Sequence, residues 1–154
     1  MTTYIDSSAL VAVYVPERYS TAARRTLRTV PQVPFTLLHE LEVANAFALL
    51  LGRKSITAGE HRAIRIQVRD DVEAQRLVPT ALDWPQVFAG ACELSESCTP
   101  SLLTRSLDLL HVAAARALEC TVFVSADDRQ LAAVKAAGLK AVDIKRTTAR
   151  SPRR

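Results

Sequence analysis

Residues 2–10, TTYIDSSAL, and residues 121–131, TVFVSADDRQL, each begin as a short strand, reach an aspartate at a polar turn and continue as a helix. The strand portions are rich in β-branched and aromatic residues, which favour extended backbone. Segments of this kind recur along the chain, so strands alternate with helices. That alternation predicts an α/β fold with a mostly parallel sheet and helices on its faces.

The rest of the chain also alternates between strand-like and helix-like segments. After Pro16 the sequence predicts a helix from about Ser20, a good N-cap residue, to about Thr29. Leucines and alanines spaced by three and four predict a helix after Thr36 that stops at Gly52. The remaining predicted elements are a strand at 33–35, helices at 57–75, 85–97, 104–119 and 128–137, and strands at 121–124 and 140–142, with 77–79 as a short connector.

Length and composition indicate a single domain with a sizeable core. The chain has 154 residues, 49% of them hydrophobic, which is enough for one core without disulfides or a structural metal. The three cysteines, Cys92, Cys98 and Cys120, lack CxxC spacing and are interpreted as reduced, buried thiols. Since no apolar run approaches the roughly 20 residues that span a bilayer, we expect a soluble, cytoplasmic protein.

The basic charge is concentrated at the end of the chain. The net charge is +4, but five basic residues lie in the last ten positions, which hold no acid. Without them, 15 basic and 16 acidic residues remain and the net charge is −1. We therefore predict one domain over residues 1–144 and a basic tail over 145–154. The tail could contact phosphates or be a solubilising terminus.

Acidic residues follow two of the predicted strands. Asp6 ends the first, and Asp127 and Asp128 follow the strand at 121–124. In a parallel sheet, ligands bind outside the carboxyl ends of the strands, so these positions are candidate site residues. For each residue taken alone, a helix cap is the simpler explanation, because aspartate is common at strand-to-helix turns.

Two more carboxylates, Glu42 and Asp108, lie within largely apolar helical stretches. A carboxylate among apolar residues is costly unless it is paired or bound to a cation. For Asp108, stabilisation of a helix N-terminus by the macrodipole is the ordinary alternative. If these side chains converge, they repel one another unless a divalent cation neutralises them. Hard oxygen ligands favour Mg²⁺ or Mn²⁺, and a cation of this kind can activate water against a phosphodiester.

The four acidic segments resemble, in order, the motifs of the PIN domain, and more narrowly those of a VapC-type toxin of a bacterial toxin–antitoxin pair. The segments are residues 4–10, YIDSSAL; 36–46, TLLHELEVANA; 105–115, RSLDLLHVAAA; and 123–131, FVSADDRQL. Each motif alone is weakly specific, but the four together cover nearly the whole chain. The resemblance implies a parallel sheet of about five strands, cleavage of RNA that depends on Mg²⁺ or Mn²⁺, a small cognate antitoxin and a homodimer.

The resemblance also selects the site residues Asp6, Glu42, Asp108 and Asp127. Its spacing of a hydroxyl residue six positions before the acidic ligand, Thr36 here, favours Glu42 over Glu40, which stays a candidate for supporting a ligand from outside. A serine two positions earlier favours Asp127 over Asp128, which becomes a candidate for helix capping or outer-sphere contact. The four selected residues would hold the metal, with Asp127 completing the cage or positioning the attacking water.

Other nearby residues have several interpretations. Ser7 and Ser125 could bond a carboxylate, a metal water or a phosphate, or make ordinary turn bonds. His111 lies one helical turn after Asp108. A packed or paired histidine is a simpler interpretation of this residue than a general acid. An acidic pocket repels RNA phosphates, so nearby cations should offset that repulsion. The candidate cations are Arg105, Arg129 and the basic tail.

The sequence also allows two rival functions. A phosphoryl-transfer or receiver domain would use a strand-end aspartate as the phosphate acceptor, but no Lys-Pro follows a predicted strand and Asp6 lacks an Asp-x-Asp pattern. The other rival is a PIN-like binding module without turnover, which the presence of all four acidic motifs disfavours.

Overall fold

The computed structural model describes residues 2–146, which alternate strands and helices as predicted. The α/β fold class is confirmed. The elements are β1 Thr3–Ile5, α1 Ser7–Tyr14, α2 Ser20–Thr29, β2 Val33–Phe35, α3 Leu37–Gly52, α4 Ala58–Glu73, β3 Leu77–Pro79, α5 Trp84–Leu102, α6 Ser106–Ala117, β4 Val122–Ser125, α7 Asp128–Ala136 and β5 Lys140–Asp143.

The five strands of residues 2–146 form two small parallel sheets, with the order β1-β4-β5 in one and β2-β3 in the other. The prediction of a connector at 77–79 is wrong, because Leu77 pairs with Val33 and Pro79 with Phe35. Three residues are too few to show a strand period, and a proline is depleted in strands. The pairing comes from β2, which lies far away in sequence.

The two sheets meet where β1 lies beside β2. The Nε2 of His39, in the first turn of α3, bonds the carbonyl of Ile5 at 2.9 Å. The backbone N–H of Thr36 donates to Nδ1 of the same ring at 3.1 Å, so Nε2 is the nitrogen that carries the proton. Burial, followed by the nearby His111, lowers the pKa of His39 to about 3, which keeps this imidazole neutral.

Helices cover both faces of the sheets, as predicted. Successive strand residues point to opposite faces. Tyr4 and Phe123 pack with α5, α6 and α7, whereas Ile5 and Val124 pack with the helices α1 to α4. The two cores therefore share β1 and β4 as their common wall, and the carboxyl ends of these strands are fixed from both sides.

The helix pair α3–α4 is tied to the body by a buried carboxylate. Asp71 on α4 accepts a hydrogen bond of 2.6 Å from the Tyr14 hydroxyl and pairs with Arg76 at 2.6 Å. Burial, with the hydrogen bond to Asp71, raises the pKa of Tyr14. The hydroxyl therefore stays a donor, and it joins the end of α1 to the end of α4.

Some predicted details differ from the structure. The helix predicted at 85–97 continues through Pro100 to Leu102, since its buried Leu94 and Cys98 extend the packing against α6. Cys92 is exposed, whereas Cys98 and Cys120 are buried, and all three are free thiols. Residues 147–154 of the predicted tail lie outside the described residues. No helix in the described part of the chain is long and apolar enough to cross a membrane.

Candidate active site

Asp6 lies directly after β1, where its carboxylate serves two purposes. One oxygen, Oδ1, accepts the Ala9 N–H at 2.8 Å and so caps α1. The other, Oδ2, accepts the hydroxyls of Ser8 and Ser125, each at 2.8 Å. The residue is only 4% exposed, and burial raises its pKa, although His111 and these hydrogen bonds act in the opposite direction.

Asp127 has the same arrangement after β4. Its Oδ1 accepts the backbone N–H groups of Arg129 and Gln130 and caps α7, while its Oδ2 accepts from Arg105 at 3.1 Å. The helix cap considered for Asp128 is therefore made by Asp127. Asp128 pairs with Lys145 at 2.6 Å and lines a different cavity, beside β5.

Glu42 comes from the second turn of α3 and is held by His111 of α6. The Nε2 of His111 bonds a Glu42 carboxylate oxygen and lies 3.2 Å from the Ser7 hydroxyl. Its Nδ1 is 2.8 Å from the Tyr4 hydroxyl. An ionised carboxylate only accepts, so Nε2 carries a proton, and the Tyr4 hydroxyl bonds the other ring nitrogen and fixes the orientation of the ring. Burial is the largest influence on the pKa of Glu42 and raises it, but the interactions led by His111 and Ser7 together outweigh burial, so the net pKa is lowered.

Asp108, in the first turn of α6, is paired with Arg105, the N-cap residue of that helix. The Arg105 Nε lies 2.9 Å from Asp108 Oδ2, and its Nη2 lies 3.4 Å from Oδ1. The same Nη2 reaches Asp127 at 3.1 Å. One guanidinium therefore joins two of the four predicted carboxylates, whereas Arg129 donates to the Leu103 carbonyl at 3.4 Å.

The four predicted carboxylates line one cavity of about 360 Å³. Glu40 does not line it, since it faces a separate pocket with Phe35 and Phe47. The other residues that line the acidic cavity are Ser7, Ser8, Val11, Glu17, Ala46, Arg105, His111 and Gln130.

Comparisons with known proteins place this fold. Residues 3–136 match the model of the family described as the PIN domain. The chain belongs to the PIN domain family. A solved structure titled "Crystal Structure of FitAcB from Neisseria gonorrhoeae" has a similar fold, with a TM-score of 0.59, 15% identity, and coverage of 94% of this chain and 99% of that one. The comparison with curated proteins yields no match.

PIN domains are typically metal-dependent nucleases, and the donors of this PIN domain's cavity suit a divalent cation. Its donors are carboxylate and hydroxyl oxygens, the class that Mg²⁺ and Mn²⁺ prefer. Within residues 2–146, no three acidic, histidine or cysteine side chains converge closely enough to hold an ion as they stand. Asp108 and Asp127 are instead occupied by Arg105, and Glu42 by His111. The donor chemistry fits, provided that the guanidinium gives up these oxygens.

Among the described residues that line this PIN domain's cavity, Glu17 is the one acidic residue that the sequence did not suggest. It follows Pro16 in the turn between α1 and α2, away from every motif, and burial raises its pKa. Its place at the cavity depends on how α1 packs against the carboxyl end of β1, and the sequence carries no local signal for that packing. The Tyr4 contact with His111 was equally hidden, since the two residues are 107 positions apart.

Proposed function

We propose that this PIN domain is an endoribonuclease that depends on Mg²⁺ or Mn²⁺ and is the toxin of a VapC-type toxin–antitoxin pair. The observation that carries the proposal is the cavity lined by Asp6, Glu42, Asp108 and Asp127. Four carboxylates with one guanidinium among them leave an excess of negative charge, which a divalent cation would offset.

In this proposal the four carboxylates hold the cation directly or through water. The cation, when bound, acidifies a water and stabilises negative charge on the phosphate and the leaving oxygen. Asp6 and Asp127 use one oxygen each to cap a helix, so their other oxygens have defined positions. His111, itself oriented by Tyr4, holds Glu42 as an ionised acceptor. Ser8 and Ser125 keep the Asp6 carboxylate facing the cavity.

A cognate antitoxin and a homodimer are part of the same proposal, as is a location in the cytoplasm. Leu37 and Leu41, one turn apart on α3, are 61% and 67% exposed. Exposed apolar side chains this close together support a protein-binding surface beside the acidic residue Glu42. Size-exclusion chromatography with light scattering would measure the oligomeric state, and a stable monomer would contradict the dimer.

The test is cleavage of a panel of structured RNAs with Mg²⁺, Mn²⁺ or EDTA, using variants in matched pairs. Glu42→Gln is compared with Glu40→Gln, and Asp127→Asn with Asp128→Asn. We expect the first member of each pair to lose about 100-fold or more in rate, and the second to stay near the parent rate.

Three results would count against the proposal. Cleavage that persists in EDTA would contradict the metal requirement. Equal losses within a pair would contradict the assignment of the carboxylates. A parent protein that cleaves no RNA but binds a small partner tightly would favour the PIN-like binding module without turnover.

A further inference from the structure

Arg105 occupies the carboxylate oxygens that the proposed cation would need. Its Nε and Nη2 bond both oxygens of Asp108, and Nη2 also bonds the cavity-facing Oδ2 of Asp127. A carboxylate oxygen that faces a guanidinium cannot at the same time bind a metal from that direction. The cation and Arg105 are therefore alternative partners of the same acidic pair.

The guanidinium is the partner that can leave. The Arg105 side chain is 67% exposed, whereas Asp108 and Asp127 are 13% and 30% exposed. The Arg105 backbone is fixed, because its carbonyl accepts the Leu109 N–H at 3.1 Å as α6 begins. Asp127 is likewise held by its helix cap. Only the long, solvated side chain of Arg105 is free to turn without disturbing an element.

A bound cation would also drive the guanidinium out. Like charges a few ångströms apart repel, and a dication attracts the carboxylates more strongly than a delocalised single charge does. Solvent screens the attraction between the exposed guanidinium and the carboxylates, so these contacts yield to a more strongly bound dication. The released guanidinium remains at the cavity rim, where its planar set of donors suits two oxygens of a phosphate.

We propose that Arg105 is an internal counter-ion of the acidic cavity, that the divalent cation displaces it, and that the displaced guanidinium then binds a phosphate of the RNA backbone. The inference rests on the proposed function, and it assigns Arg105 a substrate-binding role that begins only when the cation is present. A purely structural ion pair, which would only anchor α6 to the turn after β4, predicts a different response to substitution.

The test begins with Mn²⁺ alone, titrated calorimetrically into the parent, Arg105→Ala, Arg105→Lys and Arg129→Ala. Removing the competing charge is expected to tighten Mn²⁺ binding about fivefold in Arg105→Ala. Arg105→Lys keeps the charge but loses the planar set of donors, so its affinity should lie between those of the parent and Arg105→Ala. Arg129→Ala is the control, since Arg129 bonds a carbonyl, and its Mn²⁺ affinity should stay within about twofold of the parent.

The second measurement is the binding of a fluorescent RNA hairpin, checked for integrity by gel, in Mn²⁺ and in EDTA. Arg105→Ala should weaken RNA binding about tenfold in Mn²⁺, and by a smaller factor in EDTA. The combination of tighter metal and weaker RNA is specific to the exchange. A structural ion pair would weaken both, because its loss would disorder Asp108.

The possible failures can be told apart. If the parent binds no Mn²⁺, the proposed function itself fails. If the parent binds Mn²⁺ and cleaves RNA, but Arg105→Ala binds Mn²⁺ equally or more weakly, the exchange is overturned while the nuclease assignment stands. Circular dichroism establishes that each variant is folded, and if Arg105→Ala does not fold, the affinity of Arg105→Lys relative to the parent decides.

Discussion

At the scale of single residues, Asp6 is an almost fully buried residue with an ionisable carboxyl group. Its raised pKa means that the folded protein holds a proton on this group at pH values where the unfolded chain has lost it. Stability therefore falls as the pH rises from the ordinary aspartate pKa through the raised one, and stays lower above it. We predict that Asp6→Asn raises the free energy of unfolding at pH 7 by about 1 kcal/mol while abolishing cleavage.

The measurement is urea unfolding in EDTA between pH 3 and pH 7. The gain in Asp6→Asn should vanish at low pH, where the wild-type side chain is protonated in both states. A gain that is independent of pH, or a loss at pH 7, would contradict this account of Asp6.

Two buried tyrosine hydroxyls provide a second prediction at this scale. The Tyr4 hydroxyl bonds His111 beside the cavity, whereas the Tyr14 hydroxyl donates to Asp71 far from it. Tyr4→Phe should lower the cleavage rate about tenfold, because the His111 ring that bonds Glu42 loses the hydroxyl that orients it. Tyr14→Phe should lower stability by about 1 kcal/mol and leave cleavage near the parent rate. Equal effects of the two variants on cleavage would rule out a special role for Tyr4.

The sequence could predict these residues only in part. The positions of Asp6 and Asp127 follow from strand ends, and the choice of Glu42 and Asp127 over their acidic neighbours follows from the motif spacing. Neither strand ends nor motif spacing predicts the Tyr4 contact with His111, the Arg105 bridge between Asp108 and Asp127, or the place of Glu17 at the cavity. Each of these depends on which side chains from distant elements meet, which local patterns do not encode.

At the scale of elements, the helix ends depart from the usual glycine signal. The chain has four glycines, and only Gly138, after α7, takes the left-handed conformation with a φ of 83°. After α4 the same position is held by Gln75, with a φ of 56°, followed by the Arg76 N–H bonding the Asp71 carbonyl at 2.9 Å. This termination, a Schellman motif, is invisible to a search for glycine.

Substitution at this end of α4 gives a prediction with a matched control. Gln75→Gly should raise stability by about 0.5–1 kcal/mol, because glycine adopts a positive φ without the cost that other residues bear. Ala74→Gly, one residue earlier at a negative φ of −76°, should lower stability by about the same amount. Thermal unfolding of both variants measures the effects, and a loss in Gln75→Gly would show that strain is absent there.

At the scale of the whole molecule, the alternation of strands and helices was sufficient to predict the α/β fold and the parallel direction of the strands. It could not predict the division into two sheets. Packing decides that β2 pairs with β3, and that β1 lies beside β2 without belonging to the same sheet. The proposed single domain over 1–144 and the basic tail over 145–154 stay predictions. Of that tail, only Lys145 and Arg146 are described, and they pair with Asp128 and Asp143.

Cation binding should also be visible in the stability of the whole domain. At ten times its Kd, a ligand that binds only the native state adds about 1.4 kcal/mol. We therefore predict that Mg²⁺ or Mn²⁺ raises Tm by about 3–6 °C, by calorimetry. Asp6→Asn should lose this shift and Asp128→Asn should keep it. The same shift in all three proteins would indicate nonspecific ionic effects.

The imidazole that spans the two sheets also carries a spectroscopic consequence. The Nε2 proton of His39 is shielded from water by a fully buried ring and bonded to the Ile5 carbonyl. It is expected to exchange slowly with solvent and to give a proton NMR resonance downfield of the backbone amides. Because Ile5 directly precedes Asp6, the chemical shift of this single resonance would follow events at the cavity, which makes the unlabelled protein its own reporter.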